Sequence, residues 1–242
     1  VNLRASADKL APKLAGLIQR MPAEAAKALT FTAERVKKAE IAELRSKLDR
    51  PTPRTLSAVY LRMATPQRLE AVVWLVDSLS GAGKGFGKLT PDRWLRPNID
   101  GGRRALKGVE VALRRRGILN DGQWLSIAAN APKDRYGNLS AGWYQKIITA
   151  FGARFDPSQN RTTSRRSRRN TGNILMVLDE DGTPDFIAHR VGEELRPLLV
   201  VTRAPKYRAR VDWYGVGKRV AAEVLPQKVA SAIRRASRAG VA

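Results

Sequence analysis

"NILMVLDEDGTPDFIAHRV" (Asn173–Val191) is the stretch whose reading decides the fold class. Two runs rich in branched and aromatic residues flank the acidic "DEDG" (Asp179–Gly182), so the segment reads as strand, turn, strand. The carboxylates lack calcium-loop spacing, and Asp and Gly are turn formers, so a hairpin turn is the better account of them. "RPLLVVTRA" (Arg196–Ala204) reads as a third strand. A modest, mostly antiparallel sheet follows.

Outward from this sheet the chain reads as helical. "DWYGVGKRVAAEVLPQKVASAIRRA" (Asp212–Ala236) is a helix opened by Asp212 and kinked at Pro226. "SAGWYQKIITAFG" (Ser140–Gly152) is a helix capped by Ser140. "RRALKGVEVALRRRGIL" (Arg103–Leu119) is an amphipathic helix with Leu106, Val109 and Leu113 inward and Gly117 as its stop. Near the N-terminus, Leu10, Leu14, Leu17, Met21, Ala25 and Ala28 recur at spacings of three and four, continued by Ile41, Leu44 and Leu48. Pro22 suits a first turn, which predicts two helices over 5–20 and 22–49. "TLSAVYLRM" (Thr55–Met63) and "LEAVVWLV" (Leu69–Val76) read as strands joined by the short "ATPQR". The expectation is one α+β domain over 1–242, with long N-terminal helices, a small sheet and a C-terminal helix.

Apolar residues make up 43% of the 242, enough for a real core, but the net charge is +23. Such an excess repels itself and points to an acidic partner: nucleic acid, acidic protein or an anionic membrane. There is no cysteine, which excludes disulfides and thiolate metal sites. The longest strongly apolar run, Ala71–Val76, is far short of a bilayer span, so a soluble chain used without export is expected.

"SGAGKGFGKLT" (Ser80–Thr90) resembles a phosphate loop only in composition. The mechanism needs G-x-x-x-x-G-K-[ST]. Before Gly87-Lys88 the first glycine would be Ala82, and Leu89 brings no hydroxyl. Before Gly83-Lys84 it would be Ser78. A surface loop that binds no nucleotide is the expectation. His189, the single histidine, has no nucleophile elbow to serve and reads as a strand residue. Neither enzyme chemistry nor a cofactor or metal is expected.

Two basic clusters remain as candidate contacts with DNA or an acidic partner. One is Arg103, Arg104, Lys107, Arg114, Arg115 and Arg116. The other is Arg161, Arg165, Arg166, Arg168 and Arg169, within the stretch 156–173, which has no large apolar residue and reads as a loop or a disordered arm.

Five stretches, in order, resemble the tail-completion or minor tail protein Z-like family of tailed-phage structural proteins. They are "KAEIAELRSKLDRPTPRTLSAVYLR" (Lys38–Arg62), "EAVVWL" (Glu70–Leu75), "KGFGKLTPDRWLRPNIDGGRRALKGVEVAL" (Lys84–Leu113), "DRYGNLSAGWYQKIITAFG" (Asp134–Gly152) and "PKYRARVDWYGVGKRVAAEV" (Pro205–Val224). The resemblance implies a virion subunit, made in the host cytoplasm, that forms a ring at the head–tail junction. Its implied partners are its own copies, other neck, portal or tail-tube proteins, and DNA in the channel. It implies "LRPNIDGG" (Leu95–Gly102) as a shaped, partner-facing loop. The alternative from charge alone is a free basic nucleic-acid-binding protein.

Overall fold

The structure, a computed structural model, describes residues 3–77, 90–160 and 164–238, with backbone only for 3–13, 166, 167, 169 and 170. In chain order the elements are α1 (Leu3–Lys47), α2 (Pro53–Leu56), β1 (Val59–Arg62), β2 (Val72–Leu75), α3 (Pro91–Ile99), β3 (Gly102–Arg103) and α4 (Gly108–Arg115). There follow β4 (Gln123–Ile127), α5 (Ala141–Ala150), a 3-10 turn (Pro157–Asn160), α6 (Arg165–Gly172), β5 (Ile174–Leu178), β6 (Pro184–Val191), β7 (Glu194–Arg203), β8 (Lys206–Tyr207) and α7 (Trp213–Arg238). The fold is α+β. The span 1–242 comprises two compact units: a helical unit, Val1–Val76 with Val211–Ala242, and a sheet unit, Asp77–Arg210.

In the helical unit, α1 and α7 run antiparallel. Glu24 accepts from Arg235 Nε at 2.6 Å near one end, and Glu43 Oε1 accepts from the Asp212 N–H at 3.2 Å near the other. Between them Lys228 Nζ sits 3.8 Å from the Phe31 ring centre. The buried face is built largely of small residues: Ala26, Ala28 and Ala33 on α1, Ala232 and Ala236 on α7. Small side chains let two helix backbones approach closely, so contact here comes from proximity rather than bulk. Leu44 is the large apolar exception among the described residues, fully buried, with Glu40 beside it in the sequence of buried α1 positions.

α1 is one 45-residue helix, not the two expected from Pro22. A proline inside a helix removes the hydrogen bond to the carbonyl four residues back. That carbonyl belongs to Ile18, a residue 70% exposed. Leu14, expected in the buried stripe, is 49% exposed; Leu10 lies outside the described side chains.

Strands β1 and β2 form the expected hairpin, Val59 opposite Leu75, with Thr65 bridged to Arg68 at the turn. The first residues of the predicted strand at Thr55 instead form α2. Thr52 caps it by accepting the Thr55 N–H at 3.1 Å, and Pro53 supplies a helix-ready φ at its start. Thr30 Oγ1 accepts the Ala64 N–H at 3.1 Å and ties the hairpin to α1.

The sheet unit holds a four-stranded antiparallel sheet in the order β4-β7-β6-β5, whose three later strands are those predicted. β4 was not expected. The acidic turn between β5 and β6 is closed by Asp179 Oδ1, which accepts the Asp181 and Thr183 N–H groups at 3.1 and 2.8 Å. Leu113, Leu125, Ile147, Ile187, Leu198 and Leu199, each 1% exposed or less, make a core against which α4 and α5 pack.

Three local readings change. The helix expected over Arg103–Leu119 begins only at Gly108, though it ends at Gly117 (φ +72) as expected. Leu95–Ile99, expected as loop, belongs to α3, with Leu95 and Pro97 buried. The basic stretch 156–173 is not wholly loop: it carries the 3-10 turn and α6, which packs on α5 and β5. Arginine is a good helix former, so a segment without an apolar face can still turn helical where neighbours support it. Ser78–Leu89, the body of the glycine-lysine stretch, lies outside the described residues. Among the described residues no helix is long and apolar enough to cross a membrane.

Candidate functional site

The basic residues of the first cluster do not share one face. Arg104 turns inward. Its guanidinium is bidentate on Glu110, with Nη1 to Oε2 at 2.8 Å and Nη2 to Oε1 at 2.5 Å, and it also donates to the Leu125 carbonyl at 3.0 Å. It lies 4.7 Å from the Trp124 ring centre. Glu110 is completely buried and accepts two further N–H donors, from Lys107 at 2.5 Å and Leu125 at 2.7 Å. Burial alone would raise this carboxyl, but the Arg104 and backbone hydrogen bonds outweigh it and hold Glu110 below the usual carboxylate range. Burial likewise opposes the Arg104 charge; the Glu110 hydrogen bond overrides it and raises Arg104. The pair joins the start of α4 to β4 and locks the end of the sheet unit.

Lys107, at the N-cap of α4, is half-buried; burial and then the Arg104 charge lower its pKa. Arg114 donates to the Gln123 carbonyl at 2.7 Å with its side chain only 20% exposed. Arg115 reaches the carbonyls of Ala153 and Arg154 at 3.3 and 2.7 Å and covers the Phe155 ring at 4.9 Å. These three arginines direct donors to backbone carbonyls of the fold, while Arg114 Nε stays buried without a hydrogen-bond partner. Arg103 and Arg116 are exposed.

In the second cluster Arg165 and Arg168 are exposed on α6. Arg166 and Arg169 lie on the same helix without described side chains, and Arg161 is outside the described residues. His189 lies in β6 with its ring 5.0 Å from that of Trp143, edge to face; burial, then Lys146 and Arg196, lower its pKa. Among the described residues no group of three or more His, Asp and Glu side chains could hold a metal ion.

What the sequence reading missed lies on α3 and the β3–β8 ribbon. Arg93 and Arg96 stand on α3, and Lys206, Arg208 and Arg210 on or just after β8, all exposed. The alternation of Arg208 and Arg210 was a visible signal. The pairing of β8 with β3 was not, because it joins two dipeptides about a hundred residues apart.

Comparison with known proteins gives no match: no family model fits the chain, and no curated protein and no solved structure matches it.

Proposed function

We propose that this chain is a structural subunit of a tailed-phage virion, acting as a ring adaptor at the head–tail junction. The observation that carries the reading is the ordered set of five family-like stretches between Lys38 and Val224. The helical unit offers support of a different kind. The contact of Glu24 with Arg235 sets the register of the antiparallel pair, so α1 residues before Met21 run beyond the level of Arg238. A helical segment of this length, about 27 Å at 1.5 Å per residue, has little stability alone. Leu14 and Ile18 on it, and Val229 and Ile233 on α7, are exposed. A neighbouring subunit covering these side chains would supply packing that the described residues of the monomer do not. Repeated around a closed circle, such a head-to-tail contact gives a ring.

The test is the mass of the purified chain in solution, paired with deletion of its gene from the parent phage. The reading expects oligomers of defined size, and lysates with DNA-filled heads beside unjoined tails. A strict monomer that binds DNA, with normal particles in its absence, would favour the free nucleic-acid-binding protein.

A further inference from the structure

In the β3–β8 ribbon Arg103 lies directly opposite Lys206. Like charges facing each other across an antiparallel pair are destabilising. This ribbon has two residues per strand, so little else dilutes the repulsion. The ribbon is nonetheless held firmly. Gly101 (φ +78) turns the chain from α3 into β3, and a Cβ there would meet the Tyr207 carbonyl at 3.4 Å. The Arg210 N–H donates to the Asn98 carbonyl at 2.8 Å and fixes the exit of β8 to the end of α3.

The stretch from α3 through β3 lines an open cleft of about 450 Å³ with Arg93, Arg96, Arg103 and Arg104, and with Asp100 in its wall. Arg96 Nε pairs with Asp100 at 3.1 Å, and Arg104 belongs to Glu110. Among the described residues Arg93 and Arg103 have no carboxylate partner. Lys206, Arg208 and Arg210 extend the positive surface along the ribbon and its exit. Asp92, the acid on α3 itself, is half-buried with its Oδ1 out of solvent.

We infer that this cleft and ribbon hold the phosphate backbone of duplex DNA; the inference rests on the junction-subunit reading, which brings the chain beside packaged DNA. Guanidinium forks match phosphate oxygens, and an anion between Arg103 and Lys206 relieves their repulsion. Among the described residues no aromatic ring lines the cleft, so these residues offer no platform there for unstacked bases, and a duplex fits them better than a single strand. Among the described residues the apolar lining is limited to small groups such as Pro97 and Ala105, which offer no pocket for the bulky anchor of a protein partner.

The experiment is equilibrium binding of the full chain to a short labelled duplex of mixed sequence across a salt series. Wild type is compared with the triple variant Arg93→Gln, Arg103→Gln, Lys206→Gln, and with Lys206→Glu. Losing three phosphate contacts at 0.9 each flattens the log–log salt slope by about 2.7 and lowers affinity by tenfold or more. Lys206→Glu sets a carboxylate opposite Arg103, so it melts no lower than wild type while binding DNA more weakly. Equal affinity and slope in wild type and the triple variant would overturn the proposal. So would a variant that loses subunit assembly but keeps its DNA affinity, since the cleft would then be a protein interface. Weakened DNA binding by variants of a chain that never oligomerises would leave the cleft standing and remove the junction reading.

Discussion

Each unit of the molecule buries one glutamate, and the two are treated in opposite ways. Glu110, in the sheet unit, receives both prongs of Arg104 and two backbone N–H groups. Glu40, in the helical unit, is 1% exposed and sits between α1 and α7. Its Oε2 has no hydrogen-bond partner, and Gly217 offers only its backbone. Burial, with the carboxylates of Glu43 and Asp212 nearby, pushes its pKa up to about 8. The sheet unit thus uses its buried charge as a rivet. The helical unit buries a carboxyl that is comfortable only when protonated, in an interface of alanines with few large side chains to compensate.

That contrast is open to direct attack. The largest effect belongs to Glu110→Ala, which strands the Arg104 guanidinium in the interior and leaves two N–H donors unanswered. A loss of about 3–5 kcal/mol is expected, confined to the sheet unit. Hydrogen exchange read on peptides of each unit checks both size and place; an even loss in both units would break the division.

Leu44→Ala comes next. It removes the one large, fully buried apolar side chain among the described residues of α1. The expected loss is about 3 kcal/mol in the helical unit. A near-neutral result, with assembly lost instead, would move that face from intramolecular core to subunit contact.

Glu40→Gln works in the opposite direction. A carboxyl whose folded pKa is raised contributes most below its unfolded value of 4.5, and this stability is lost as pH rises toward 8. The variant should therefore gain roughly 1–3 kcal/mol over wild type at pH 8 and nothing at pH 4, since the neutral amide has no charge to bury. Glu110, with a lowered pKa, has the reverse signature: its contribution is present above the ordinary carboxylate range and fades as pH falls through the folded value. Melting curves of wild type, Glu40→Gln and Glu110→Gln across pH separate the two. A pH-independent gain in Glu40→Gln would sink the account of Glu40.

The smallest effect on stability is expected on α6. Replacing Arg161, Arg165, Arg166, Arg168 and Arg169 with serine should cost a few tenths of a kcal/mol per helical position, about 1 kcal/mol in all, and leave the chain folded. On the junction reading it should leave filled heads and tails unjoined. Normal infectious particles would make the arm a solvated helix; a collapsed fold would make it part of the sheet unit's structure.

These residues also mark what a sequence can disclose. The Asn173–Val191 hairpin and the opening of α7 at Asp212 were legible because their causes are local. An acidic turn closes on itself, and Asp212 Oδ1 accepts the Gly215 N–H at 3.0 Å, three residues on. The fate of Pro22 was not legible, because whether a proline ends a helix depends on what reaches the freed carbonyl. Nor was the division among Arg103, Arg104 and Arg114. Adjacent arginines look alike in sequence, yet Arg104 faces Glu110 and Arg103 faces Lys206, and only the long-range pairing of β3 with β8 separates them. The sequence-level cluster was therefore a correct sign of charge and a poor guide to which charges are free.

The central claim is that this chain is a ring-forming subunit between head and tail, and its place in the particle tests it most directly. Electron cryomicroscopy of purified virions carrying a tagged copy of the chain should show closed-ring density for the helical and sheet units at the neck, with the tag repeating around the axis. Virions that lack the chain altogether, or hold it as scattered single copies away from the neck, would contradict the account.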